Sequence, residues 1–278
     1  MTTTGRRVIS GRSLVADSGL PVHEADRLLE AATGRDRTSL YRDDTLDNRG
    51  AARFGELADR RRAGEPLQYL EGTSQFGSIE VAVDRRVLIP RPETEQLWEL
   101  VTAMLADRPP RVVVDLGTGS GNLAIALKHS FPDAEVHAVD VSAGSLEVAA
   151  ENAAASAPEI ALYYGDLFEP LPPEIRGRVD LVISNPPYIA TGEHATLPLE
   201  VRDHEPAIAL FAGPDGLSVL RRIVTLAPDW LSPDGLLACE IGEDQGAALI
   251  EIAADFNPEI IKDLAGRDRF LIAQKGMA

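Results

Sequence analysis

Arg111-Val112-Val113-Val114-Asp115-Leu116-Gly117-Thr118-Gly119-Ser120-Gly121 decides the fold. Its first half is an apolar, largely β-branched run without polar alternation, the composition of a parallel strand buried on both faces. Glycine at every second position follows at once, and Asn122 to Ser130 then reads as a helix. Strand, glycine turn and helix in this order make a binding loop, because backbone without Cβ atoms lets a ligand approach closely.

The next strand, Glu135 to Val139, ends at Asp140, 19 residues beyond Gly121. That is near the spacing at which a carboxylate meets ribose hydroxyls. The glycines run G-x-G-x-G, not the G-x-G-x-x-G of dinucleotide sites. NAD is therefore the second choice, behind a nucleoside cofactor without a pyrophosphate, and S-adenosylmethionine fits. A helix from Ser142 to Ser156 leads to a third strand, Ile160 to Tyr164, which ends in Gly165-Asp166-Leu167-Phe168. At this strand end an Asp or a backbone N–H can read an adenine edge and Phe168 can cover the ring. Phe168 reads equally as a core aromatic.

Further on, Val179 to Ser184 is an apolar run of strand length that enters Asn185-Pro186-Pro187-Tyr188. Proline has no N–H and a fixed φ, so pairing stops there and a stiff loop stands at a strand's carboxyl end. The preceding carbonyls are free of any ladder, and the Asn185 carboxamide adds donor and acceptor atoms. Such a corner suits a planar –NH2 group, with two acceptors for its hydrogens and Tyr188 as an aromatic face. The same tetrapeptide also reads as a plain stop signal, and its neighbours are what argue for chemistry.

Helix Leu217 to Leu226, strand Leu236 to Ile241, helix Glu243 to Phe256 and strand Arg269 to Ala273 complete an alternation expected of a doubly wound sheet. The stretch 189–209 is polar and irregular. Its Asp203-His204-Glu205-Pro206 reads as a flap over the site or as a surface loop. His194 and His204, ten apart with no cysteine nearby, make a poor metal set, so no metal is expected. The single cysteine, Cys239, lies in an apolar run and reads as a buried inert thiol.

Towards the amino terminus, residues 73–95 read as a link. Ser74 to Val83 alternates like a hairpin turning near Gly77, and Pro90-Arg91-Pro92 is a rigid bend suited to a pocket rim. Pro92, Glu93 and Glu95 suit the start of a helix. Residues 1–72 read as a small helical bundle, with helices around Ser10–Ser18, Val22–Ala32 and Asn48–Ala63 and with Leu40-Tyr41 packed between them. It either recognises a protein partner, the favoured reading, or caps the larger domain, 96–278.

Of the 278 residues, 1–72 hold 12 Arg and 12 acidic residues, while the remainder holds 15 basic and 32 acidic ones and carries the whole net charge of −17. Such a surface repels a phosphate backbone and attracts a basic partner. Met1 to Ser10 has two arginines and no apolar core, so it does not read as a secretory signal. No apolar run approaches membrane-helix length. A cytoplasmic protein without direct nucleic-acid or membrane partners is expected.

These motifs together resemble the protein-(glutamine-N5) methyltransferases, in particular the branch that modifies peptide chain release factors. The resemblance runs through Gly64-Glu65-Pro66-Leu67-Gln68-Tyr69, Ile89-Pro90-Arg91-Pro92-Glu93-Thr94-Glu95, Asp115 to Gly121, Asn185 to Tyr188, Glu205-Pro206 with Ala209-Leu210, and Asp215-Gly216-Leu217. It implies an α/β, doubly wound, seven-stranded class I methyltransferase (Rossmann-like) sheet behind the helical bundle. It implies that Gly117, Thr118, Gly119, Ser120, Gly121, Asp140, Phe168 and Asn185 contact S-adenosylmethionine. Asn185, Pro186, Pro187 and Tyr188 would hold the glutamine of the Gly-Gly-Gln motif of class 1 release factors, with Asn185, Pro186 and Tyr188 catalytic. The chain departs from the family at Phe168, near which Trp is frequent, and at Ala212-Gly213, where Gly-Gly is frequent. The alternatives are N5-glutamine methylation of a ribosomal protein, adenine-N6 methylation of nucleic acid, and a non-catalytic module that binds release factors.

Overall fold

The computed structural model describes residues 9–276. Residues 1–8 and 277–278, and with them most of the Met1–Ser10 reading, lie outside the described residues. The chain forms two units. One comprises residues up to Thr73 together with Pro198–His204; the other comprises Ser74–Leu197 and the chain from Glu205 onward.

The first unit holds β1 (Ile9–Ser10), α1 (Gly11–Asp17), α2 (Val22–Thr33), α3 (Arg37–Arg42), β2 (Thr45–Leu46), α4 (Asn48–Arg62) and α5 (Leu67–Glu71). Its helices start where local chemistry caps them: Ser10, Asp36 and Asp47 each accept a backbone N–H of the first turn. Ala25, Leu28 and Leu29 of α2 and Phe54, Leu57 and Ala58 of α4 share one buried cluster, as the i, i+3, i+4 spacing predicts. Leu40 joins that cluster, whereas Tyr41 is exposed under the guanidinium of Arg12. The short helix α9 (Leu199–His204), from far along the chain, also belongs to this unit. Arg61 binds Glu24 (2.6 Å) and Glu200 (2.7 Å), which ties it in.

The second unit opens with the hairpin β3 (Thr73–Phe76) and β4 (Ile79–Ala82), and then α6 (Pro92–Met104). After α6 come β5 (Val112–Leu116), α7 (Asn122–Ser130), β6 (Glu135–Asp140), α8 (Ala143–Ser156), β7 (Ala161–Tyr164) and β8 (Val179–Ser184). The end of the chain supplies α10 (Ser218–Trp230), β9 (Leu231–Glu240), α11 (Gly246–Ile252), β10 (Pro258–Lys262) and β11 (Asp268–Gln274). Seven strands form one sheet in the order β10-β11-β9-β8-β5-β6-β7. The five from β9 to β7 run parallel, while β11 pairs antiparallel with both β9 and β10. Every residue of β5 is buried, as its unbroken apolar run requires.

The end of the chain differs in detail from the sequence reading. The strand Pro258–Lys262 is not visible as a pattern because it is an edge strand, half-exposed on both faces. Pro258 starts it, a position where no donor is needed. The helix expected over Glu243–Phe256 is shorter, Gly246–Ile252 with a single 3-10 turn after it.

The order of strands fixes where a ligand can sit. From β5 the chain winds outward through β6 and β7, then returns to lay β8 on the other side of β5. At such a reversal the loops leaving the two adjacent strands diverge and open a crevice at their carboxyl ends. Here those loops are the glycine turn after Leu116 and the Asn185 corner after Ser184. The buried hydroxyl of Ser184 donates to the Leu116 carbonyl at 2.6 Å and ties the two strand ends together. Among the described residues no helix is long and apolar enough to cross a membrane.

Candidate active site

A cavity of about 320 Å³ opens at that crevice. Gly117, Thr118, Gly119, Ser120 and Asp140 line one side, and Asn185, Pro186 and Pro187 line another. Pro90 and Arg91, the rigid bend of the link, also reach it. Arg91 is ion-paired with the buried carboxylate of Glu205, which holds Glu205 at the cavity rim.

The glycine turn is held from beneath. Gly119 donates its N–H to Asp140 Oδ2 at 2.9 Å, and Ser142 donates to Oδ1 at 2.8 Å. Each carboxylate oxygen thus keeps lone pairs for further donors. Asn152, buried on α8, donates to the carbonyls of Ser120 (2.9 Å) and Ala82 (3.0 Å) and accepts the N–H of Ala82. It therefore fastens both the turn and the hairpin, a role that no sequence motif announces. Gly119 sits at φ +56°, and a Cβ there would meet no atom within 4 Å, because the space before it is the cavity.

Three residues expected at the cofactor or the substrate do not line this cavity. Gly121 does not line the cavity; a Cβ on it would lie 3.4 Å from that of Ala149, so it permits close packing of α7 on α8. Phe168 is buried and stacked on Trp230 at 5.5 Å, within the core cluster beneath the sheet's carboxyl ends. Its neighbours Gly165, Asp166 and Leu167 face the cavity instead, with Leu167 at φ +50°. That backbone reversal sends Phe168 inward. Tyr188 likewise does not line the cavity: its hydroxyl donates to Glu240 at 3.1 Å, and its ring packs against the same core.

What Tyr188 does is anchor the corner. Its carbonyl accepts Gln245 Nε2 at 2.9 Å, and a Cβ on Gly216 (φ +71°) would overlap that carbonyl oxygen. Asn185 Nδ2 donates to Thr94 Oγ1 at 2.8 Å, and Thr94 Oγ1 donates to Glu240 Oε2 at 2.7 Å. Asn185 Oδ1 and the Pro186 carbonyl have no hydrogen-bond partner among the described residues. Thr94 lines the cavity and Glu240 lies behind it; Thr94 stands inside the Ile89–Glu95 motif with no role of its own read there, and Glu240 did not stand out in the sequence. One is 91 residues from Asn185, and the other is 146 residues from Thr94.

Beneath the turn, Asp115 is fully buried, and Thr118 Oγ1 donates to its Oδ2 at 2.6 Å. Its other oxygen has no hydrogen-bond partner among the described residues. Burial first, with the nearby Asp140 charge adding to it, raises its pKa from 3.8 to about 7. Folding therefore retains a proton that the unfolded chain has lost between those two values. Stability is full below pH 4 and falls as pH rises to 7, by at most ~4 kcal/mol. Asp115→Asn should remove that slope: in melting curves from pH 4.5 to 8, the variant should gain on wild type as pH rises. A constant offset between them would rule the linkage out.

A doubly wound sheet with a glycine turn and an acceptor-rich corner flanking one cavity defines a Rossmann-like methyltransferase. Residues 97–200 match the model of the methyltransferase small domain, and residues 10–72 match that of the PrmC N-terminal domain. Solved structures share the fold: a methyltransferase from Pyrococcus furiosus (TM-score 0.54, 20% identity, 72% of this chain and 90% of that one) is one. The Thermus thermophilus 16S rRNA N2 G1207 methyltransferase is another (TM-score 0.52, 20% identity, 73% and 49% covered). The chain is 42% identical to the release factor glutamine methyltransferase of Moorella thermoacetica over 92% of each protein, and 41% identical to that of Mycolicibacterium smegmatis over 99% of each. It belongs to the release factor glutamine methyltransferase family.

Proposed function

We propose that this chain transfers the methyl group of S-adenosylmethionine to the side-chain amide nitrogen, N5, of the glutamine in the Gly-Gly-Gln motif of class 1 peptide chain release factors. The observation that carries the reading is the pair of unpartnered acceptors, Asn185 Oδ1 and the Pro186 carbonyl, on the wall of the cavity that the glycine turn also lines. The relatives' names support the substrate, and they do not favour a ribosomal protein, adenine or a non-catalytic role.

The donor set fits the cofactor. Gly117 and Gly119 present backbone without obstruction, Asp140 offers carboxylate lone pairs to ribose hydroxyls, and Val141 and Leu167 give apolar walls for a flat ring. S-adenosylmethionine supplies a methyl group on a sulfonium, a strong electrophile. An amide nitrogen is a poor nucleophile because its lone pair is delocalised into the carbonyl. Asn185 Oδ1 and the Pro186 carbonyl each accept one N–H of the glutamine, which orients the nitrogen and draws electron density onto it. Orientation and fixed dipoles lower the barrier most. Once the nitrogen has become cationic, its proton leaves to water.

Residues 1–72 serve as the recognition unit for the release factor, 73–95 as the link that carries the pocket rim, and 96–278 as the catalytic domain. The work of such an enzyme belongs to the cytoplasm. Mass analysis of the Gly-Gly-Gln peptide tests the whole reading: release factor incubated with this protein and cofactor gains one methyl group on that glutamine. In parallel assays DNA and ribosomal protein should remain unmodified. An unmodified glutamine would overturn the proposal.

A further inference from the structure

A primary carboxamide is nearly symmetric in shape, so packing does not decide which of its polar atoms faces a ligand. Only its hydrogen-bond partners do. At Asn185 the difference is decisive, because Oδ1 can accept a substrate N–H whereas Nδ2 would set donor against donor. Thr94 and Glu240 are 2% and 1% exposed, so bulk water does not stand in for a missing partner there. The Thr94 hydroxyl has one proton, and the Glu240 carboxylate takes it at 2.7 Å. Thr94 Oγ1 is then only an acceptor towards Asn185, which must present Nδ2 to it, as it does at 2.8 Å. Tyr188 donates to the other oxygen of Glu240, so the carboxylate is also held in place by the corner it orients. Burial raises the Glu240 pKa, with Glu93 adding to it, and the hydrogen bonds from Thr94 and Tyr188 and the charge of Arg269 oppose that rise by favouring the carboxylate.

We infer that Thr94 and Glu240 are positioning residues, a buried relay that locks the Asn185 carboxamide with its oxygen towards the substrate amide. The inference takes the identity of that amide from the proposed function; the relay itself stands on the protein's own atoms. Without the Thr94 hydroxyl, Nδ2 would face an apolar wall unpaired, and the carboxamide would turn over to satisfy it.

Thr94→Val removes the hydroxyl at nearly constant shape. It should lower kcat for release-factor methylation about 10-fold or more, while the Kd for S-adenosylmethionine stays within about threefold of wild type. Thr94→Ser, which keeps the hydroxyl, should restore most of the rate. A readout independent of the substrate is the Asn185 side-chain NH2 signal of protein with 15N-labelled asparagine, assigned by its loss in Asn185→Ala. It should be protected from solvent exchange in wild type and in Thr94→Ser and lose protection in Thr94→Val. Glu240→Gln, which takes away the charge that claims the Thr94 proton, should lose it too and serves if Thr94→Val does not fold. Lost protection in a protein that methylates no release factor would support the relay and sink the substrate assignment. Full protection and a wild-type kcat in Thr94→Val would overturn the relay.

Discussion

Asn185→Ala should lower the rate of methyl transfer to a release factor by about 100-fold or more, the scale of losing one preorganised polar contact to the reacting group. Of the two acceptors proposed for the substrate amide, the variant keeps only the Pro186 carbonyl. The nitrogen then meets the cofactor with one N–H unheld and its orientation unset. The fold should survive, because Asn185 is only partly buried and Ser184, which ties β8 to β5, is untouched. A single-turnover assay with saturating cofactor reads the step directly, with a melting curve as control. Asn185→Asp makes the complementary point. It would place a carboxylate oxygen against Thr94 Oγ1, whose proton is committed to Glu240. Two acceptors would then face each other, so it too should be strongly impaired. Turnover at the wild-type rate in Asn185→Ala would remove this residue from the mechanism.

Gly119→Arg should abolish measurable cofactor binding, weakening the Kd by at least about two orders of magnitude, or roughly 3 kcal/mol. The space that a Cβ would enter at this position is free of protein atoms because it is the cavity itself, and a long side chain would fill it. The backbone at φ +56° adds strain for any residue but glycine. That strain also threatens the Gly119 N–H bond to Asp140, through which the turn and the proposed ribose ligand are held together. Calorimetric titration with S-adenosylmethionine checks this, and a heat of binding like that of wild type would contradict it. The two substitutions separate the halves of the site, since the first should leave cofactor binding largely in place and the second should not.

Much of this architecture is written locally. A run such as Val112–Leu116 has no polar face to expose, glycines at 117 and 119 leave the backbone bare, and two prolines end β8 whatever surrounds them. Each is a covalent or short-range property of the residues themselves. So β5, the turn, α7, Asp140 after β6 and the stiff corner after β8 could all be read from the chain, and with them the doubly wound class. The helices of α2 and α4 were legible for the same reason, as apolar spacing closed by capping residues.

Which way a side chain turns at the end of a strand is not a local property. Phe168, Gly121 and Tyr188 sit in the right loops, yet the backbone reversal at Leu167, the closeness of α8 and the buried Glu240 send them to the core. Thr94 lies in a motif that names no role for it, and Glu240 and Asn152 carry no motif, because the meaning of all three lies in partners brought near by strand order and not by spacing. Pro258–Lys262 is a strand only because β11 offers it an edge. The sequence by itself determined which backbone could bare itself to a ligand and where strands must stop, since steric limits act within a few residues. The tertiary structure alone decided which atoms face that ligand, since burial and hydrogen-bond partners exist only once distant segments have packed.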